Sequence, residues 1–149
     1  QPLSSAIVSA RAELVTRASH EELLEAVDAA VAAADSGGSP SPEQVEALGA
    51  GWVAEEALAI SLYCALVHRG DFEGGVLLAV NHSGDSDSTA AITGNLLGAM
   101  LGIDAIPDRW LGPLELRDEV EEIADDIRLH FEAPRYEPDR YELERYPGW

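Results

Sequence analysis

From Trp52 to His68 the apolar residues Val53, Ala57, Leu58, Ile60, Leu62, Tyr63, Leu66 and Val67 fall nearly all round a helix. A helix with no polar stripe has to be covered on every side, so this segment predicts the centre of a helical assembly rather than one of its faces. Glu55 and Glu56 stand near its positive N-terminal end, Cys64 reads as a small buried hydrophobe, and Gly70 is placed to cap it.

The flanking segments read as helices with one apolar face each. Ile7, Ala10, Leu14 and Ala18 recur at helical spacing and predict a first helix. Ser19 and Glu22 form a capping box for a second, striped by Leu23, Leu24, Val27, Ala30, Val31 and Ala34, and the stretch from Asp35 to Pro42 breaks it. Ser41, Pro42 and Gln44 predict a short third helix with its own box, stopped by Gly49-Ala50-Gly51. Asp71 caps the next segment, in which Val76 to Val80 is too short for periodicity to separate strand from helix; we read helix. Ala90, Gly94, Gly98 and Gly102 then recur every fourth residue. Each such glycine costs about 1 kcal/mol against alanine, and so flat a stripe predicts the close approach of another backbone. Pro107 ends that region, and Leu114 to Phe131 reads as a last amphipathic helix rich in carboxylates.

The fold class expected is all-α, with a helical domain over residues 1–133 and an extended tail over 134–149. In the tail Arg-Tyr recurs at 135, 140 and 145 between prolines, which suits strapping onto an acidic surface, with a protein-binding motif as the alternative.

Charge narrows the function. Nine basic residues, all arginine, face 28 acidic ones, for a formal charge of −19. Without lysine there is no Schiff base and no P-loop lysine, and the acidic surplus argues against general binding to nucleic acid or anionic lipid. A single cysteine excludes an internal disulfide and a cysteine-cluster zinc site. No apolar run reaches the roughly 20 residues that span a bilayer. The start Gln1-Pro2-Leu3 has no signal-peptide pattern, and a cytoplasmic location is expected.

The one dense polar constellation is Asn81-His82-Ser83-Gly84-Asp85-Ser86-Asp87-Ser88-Thr89. A turn at Gly84 can converge Asp85, Asp87 and the Ser88 hydroxyl on a hard cation, magnesium, calcium or manganese rather than zinc. The alternative is that Asp87 and Ser88 only cap the following helix. An EF-hand beginning at Asp85 fails, because Ala90 and Leu96 stand where it needs glycine and glutamate. His82 next to Ser83 is a poor nucleophile-base pair, since neighbours in sequence rarely face each other and no third group is evident.

Residues 81–102, followed by Ala105-Ile106-Pro107-Asp108-Arg109-Trp110, resemble the C-terminal signature of the ADP-ribosylglycohydrolase family, which includes the dinitrogenase reductase-activating glycohydrolases. The likeness extends to Gly51-Trp52-Val53-Ala54-Glu55-Glu56-Ala57-Leu58. What it implies is an all-helical hydrolase that holds two magnesium ions, with manganese as a substitute, and releases ADP-ribose from a modified acceptor. Carried over, the metal ligands are Asp85, Asp87 and Ser88, with Asp87 the bridge, and no catalytic group beyond them. Trp52 and Gly84 become substrate-binding positions, although Trp52 reads equally as a core anchor. Ser83 departs from the family, which has glycine there, and a side chain at that place either crowds the loop or turns to solvent.

Family members are longer, and their N-terminal half supplies a Gly-Asp and a Thr-Asp-Asp segment to the metals. Thr-Asp-Asp does not occur here, for Asp125-Asp126 follows Ala124 on a charged helix. The chain therefore resembles a C-terminal half, and the expected partners are an ADP-ribosylated substrate and a second polypeptide carrying the N-terminal half. A catalytically silent member acting as a binding or structural module is the rival expectation.

Overall fold

The computed structural model describes residues 2–132, so the Arg-Tyr tail lies outside the described residues. Every regular element among them is helical: α1 (Leu3–Leu14), α2 (Glu21–Asp35), α3 (Pro42–Glu46), α4 (Ala54–Val67), α5 (Phe72–Val80), α6 (Ser86–Leu101), a 3-10 turn (Ile103–Ala105), α7 (Asp108–Leu111) and α8 (Arg117–Glu132). None is long and apolar enough to cross a membrane. The described residues fall into two compact units that divide between Pro107 and Asp108.

In the first unit α4 is central, as its uniform apolarity demands. Nine of its residues are buried, in two stretches from Ala57 to Leu66 that leave only Leu58 partly covered. It packs chiefly against α2 and α6, while α5 lies across α6 and α4. Ile60, Tyr63, Cys64 and Leu66 meet Val27 and Ala30 of α2, Val45 of α3 and Leu78 and Ala79 of α5 in one core. Burying a large aliphatic side chain stabilises a fold by ~1.5–3 kcal/mol, so this helix carries much of the unit's cohesion. The α1 helix is less tightly seated: an apolar cavity of about 290 Å³ lies between it and α2, α4 and α6, lined by Leu3, Ile7, Leu23, Leu58, Leu62 and Leu96.

Several local signals resolve differently from their sequence reading. The first helix stops at Leu14, short of Ala18. Ser19 adopts φ +56° and leaves the N-cap of α2 to His20, so the Ser19–Glu22 box does not close. Ser41 does occupy the cap of α3 with Pro42 behind it, but Gln44 accepts a 2.7 Å hydrogen bond from the Tyr63 hydroxyl instead of turning back. A buried phenol needs that partner more than a solvated cap does. The α4 helix ends on His68, two residues before Gly70.

Asp71 caps α5 as expected, accepting from the Gly74 N–H at 2.9 Å. The glycine stripe of α6 does not meet another backbone. Cβ atoms on Gly94 and Gly98 would lie 3.9–4.0 Å from the Phe72 ring or Val76, so the flat surface seats side chains of α5. The close helix contact uses Gly75, where a β-carbon would overlap Leu97 and come within 3.6 Å of the Cys64 carbonyl oxygen.

In the second unit α8 carries ion pairs along its own length. Arg117 pairs with Glu121 at 2.6 Å and Arg128 with Asp125 at 3.5 Å, both at helical spacing.

Candidate functional site

The polar constellation forms the turn between α5 and α6. Asn81 ends α5 and donates through Nδ2 to the Leu77 carbonyl. His82 then folds over the turn: its Nδ1 accepts the Gly84 N–H at 3.1 Å, which leaves the ring proton on Nε2, 2.9 Å from the Thr89 hydroxyl. Thr89 is fully buried and passes its own proton to the Ala79 carbonyl at 3.0 Å. The Thr89 carbonyl accepts from the hydroxyls of Ser61 on α4 and Thr93 on α6. Buried polar groups are costly unless paired, and this network pairs them while fixing the start of α6 to α4. Both nitrogens of His82 are thereby engaged, and Ser83 is exposed, so no nucleophile-base pair forms and the Ser83 side chain does not crowd the turn.

Asp85 stands at the N-cap of α6 without closing a side-chain cap. Asp87 and Ser88 lie within the first turn, so neither is the cap residue that the alternative reading required. The Asp85 carboxyl is held below the ordinary carboxylate range, first by hydrogen bonding with the Asp87 side chain and next by the Ser88 hydroxyl. Two carboxyl groups and a hydroxyl thus lie close together at the N-terminal end of α6. Their donor atoms are all oxygen, which fits a hard divalent cation. Among the described residues no cluster of three or more His, Cys, Asp or Glu side chains converges on a metal position.

The loop 49–51 lies against this turn. Gly84 is there because nothing larger fits: a β-carbon on it would sit 2.6 Å from the Ala50 carbonyl carbon. The Asp85 N–H donates to the Ala50 carbonyl at 2.8 Å. Gly51, at φ +79°, packs beside Asp85 and Thr89, and Trp52 follows it with 71% of its surface exposed. Among the described residues Trp52 is therefore no core anchor. Two acids hold the surrounding backbone: Glu56 Oε2 accepts both the Ala50 and Gly51 N–H at 3.0 Å, and Glu46 Oε1 accepts the Ser83 N–H at 3.0 Å. Sequence reasoning missed these last roles and that of Thr89. Glu56 had a signal, since it is the third residue of α4, where a glutamate habitually reaches back to orphan N–H groups.

A family model described as ADP-ribosylglycohydrolase matches residues 1–137. The chain belongs to the ADP-ribosylglycohydrolase family. Among curated relatives, the ADP-ribosyl-[dinitrogen reductase] glycohydrolase of Rhodospirillum rubrum is 42% identical over 50 residues, which are 34% of this chain and 17% of that protein. The ADP-ribosylarginine hydrolase Tri1 of Serratia proteamaculans is 36% identical over 70 residues, 47% of this chain and 19% of the relative. An uncharacterized protein of Archaeoglobus fulgidus is 52% identical over 54 residues, 36% of this chain and 17% of the relative. The matched segments thus span less than a fifth of the curated relatives' length. No solved structure matches. Family membership accords with the all-helical architecture and with the resemblance carried by residues 81–102.

Proposed function

We propose that this chain contributes Asp85, Asp87 and Ser88 to a binuclear magnesium site that hydrolyses an ADP-ribosyl N- or O-glycosidic bond. The observation that supports the reading is the placement of these three oxygen-bearing side chains at the N-cap and in the first turn of α6 in a member of this family. Asp87, exposed one residue from Ser88, would hold both ions and Asp85 one of them. When bound, magnesium supplies positive charge that orients ribose hydroxyls and polarises water. The chain's own residues hold and place that charge: Thr89 and His82 lock the turn, and the Ala50 carbonyl fixes Asp85. Trp52 offers an exposed indole face, one residue beyond the Gly51 packed against Asp85, on which an adenine can stack.

Two carboxylates and a hydroxyl do not fill the coordination of two octahedral ions. The remaining ligands are proposed to come from polypeptide outside these residues. The rival reading, a catalytically silent module, draws on the lack of a third converging acid among the described residues. Release of free ADP-ribose from ADP-ribosylated arginine and serine peptides, with magnesium and with EDTA, separates the two. Magnesium-dependent release supports the hydrolase; binding of ADP-ribose without release under both conditions supports the silent module.

A further inference from the structure

Glu56 is not among the ligands proposed above, and it does not face solvent as an ordinary first-turn glutamate does. A single carboxylate oxygen, Oε2, receives two backbone N–H groups, those of Ala50 and Gly51. The Gly51 N–H and the Ala50 carbonyl belong to one peptide unit, and a trans peptide is planar with these two groups pointing in opposite directions. Anchoring the N–H on Glu56 therefore aims the carbonyl away from α4. The group that meets it there is the Asp85 N–H, at 2.8 Å. A line of polar contacts runs from Glu56 Oε2 through one rigid peptide to the backbone of Asp85.

The surrounding glycines show that this line is built rather than incidental. Gly49 adopts φ +124°, and a β-carbon on it would lie 2.5 Å from Glu56 Cγ and Cδ, so the loop leaves a channel for this side chain alone. On the far side Gly84 closes against the same Ala50 carbonyl. Glu46 supports the turn at Ser83, but from an exposed position and through one bond, so it is the lesser hold. A charge-assisted pair of hydrogen bonds at a partly covered site is stronger than neutral ones.

We infer that Glu56 is a positioning residue for the metal loop, setting the place of Asp85 through the Ala50–Gly51 peptide. Its geometric content stands by itself, and its consequence for metal binding rests on the reading of Asp85 as a ligand.

The test has two readouts in the intact protein. One is the hydrogen-exchange rate of the Asp85 amide without metal; the other is the dissociation constant for Mn²⁺. Glu56→Ala is expected to speed Asp85 exchange by about tenfold while the Ser61 and Cys64 amides in α4 keep their rates. It should weaken Mn²⁺ binding by about the same factor. Glu56→Gln, which retains an acceptor oxygen, should restore both to within about threefold. Glu55→Ala, altering the adjacent first-turn acid, should change neither. Glu56→Asp keeps the charge but is one methylene too short, and it provides the same comparison if the alanine variant does not fold. Unchanged Asp85 exchange in the Ala and Asp variants would overturn the inference, as would equal acceleration at Asp85 and Ser61. If exchange responds as expected but wild-type protein binds no Mn²⁺, the inference about position stands and the metal reading falls.

Discussion

Gly84 and Ala50 touch backbone to backbone: a β-carbon on Gly84 would lie 2.6 Å from the Ala50 carbonyl carbon and 2.9 Å from its Cα. Main chain cannot retreat as the tip of a side chain can. Gly84→Ala should therefore push the 49–51 loop away from the turn and break the bond from the Asp85 N–H to Ala50. We expect a loss of stability of about 1–3 kcal/mol together with weaker Mn²⁺ binding, measured by denaturant unfolding and metal titration. Wild-type values for both would show that the two loops are not in contact.

Asp87→Ala is expected to abolish magnesium-dependent turnover of the complete protein while helical content by circular dichroism is retained. The reasoning is one of magnitude: a carboxylate shared by two ions is indispensable to both, whereas a residue in the first turn of a helix is worth about 1 kcal/mol to the helix dipole. Asp85→Ala should weaken one ion more than the other, giving biphasic metal titrations where the wild type is steeper. Normal turnover of both variants at low magnesium would show that neither is a ligand.

How much of this was legible beforehand depends on whether a signal was local or reciprocal. The centrality of α4 was readable because burial on all sides leaves its mark on the helix's own sequence, from Ala57 to Leu66. Asp85, Asp87 and Ser88 are close in sequence and so fall together at the start of α6, but Gly84 is required by the Ala50 backbone against it and not by a positive φ. The capping boxes at Ser19 and Ser41 failed for a reason no local pattern contains. Gln44 was claimed by a phenol 19 residues away, and Ser19 lies at positive φ with His20 in the cap. The glycine stripe pointed to the wrong glycine, since Gly75 sits in a run where nothing marks it as the point of close approach. Glu46 was invisible as a support because its partner is a backbone N–H group, which every residue but proline carries, whereas the place of Glu56 in the first turn of α4 was a signal that went unused.

Trp52→Ala should raise the KM for an ADP-ribosylated substrate more than it lowers kcat, because a stacking face for adenine acts far from the scissile bond. With the indole 71% exposed, stability should move by no more than about 0.5 kcal/mol. Steady-state kinetics and a thermal melt on the same preparation check both halves. Unaltered kinetics would remove Trp52 from the binding site.

Cys64 gives a prediction that needs neither substrate nor metal. Its side chain is fully buried in α4, and burial pushes the thiol from an ordinary 9.0 up to about 12. Below pH 9 the folded and unfolded chains both keep the proton, so the group's contribution to stability is complete there. Between pH 9 and about 12 the unfolded thiol ionises while the folded one does not, and stability falls by about 1.4 kcal/mol for each unit. The Tyr63 hydroxyl, also raised by burial, acts with the same sign once the pH passes its ordinary value of 10.0, so the clean window is pH 9 to 10. Within it Cys64→Ala should flatten the decline measured by urea unfolding, and the native wild-type thiol should resist a disulfide reagent at pH 8 until the protein is unfolded. Identical slopes for the two proteins, or rapid labelling of folded protein, would place the thiol in contact with water and contradict the packing of α4.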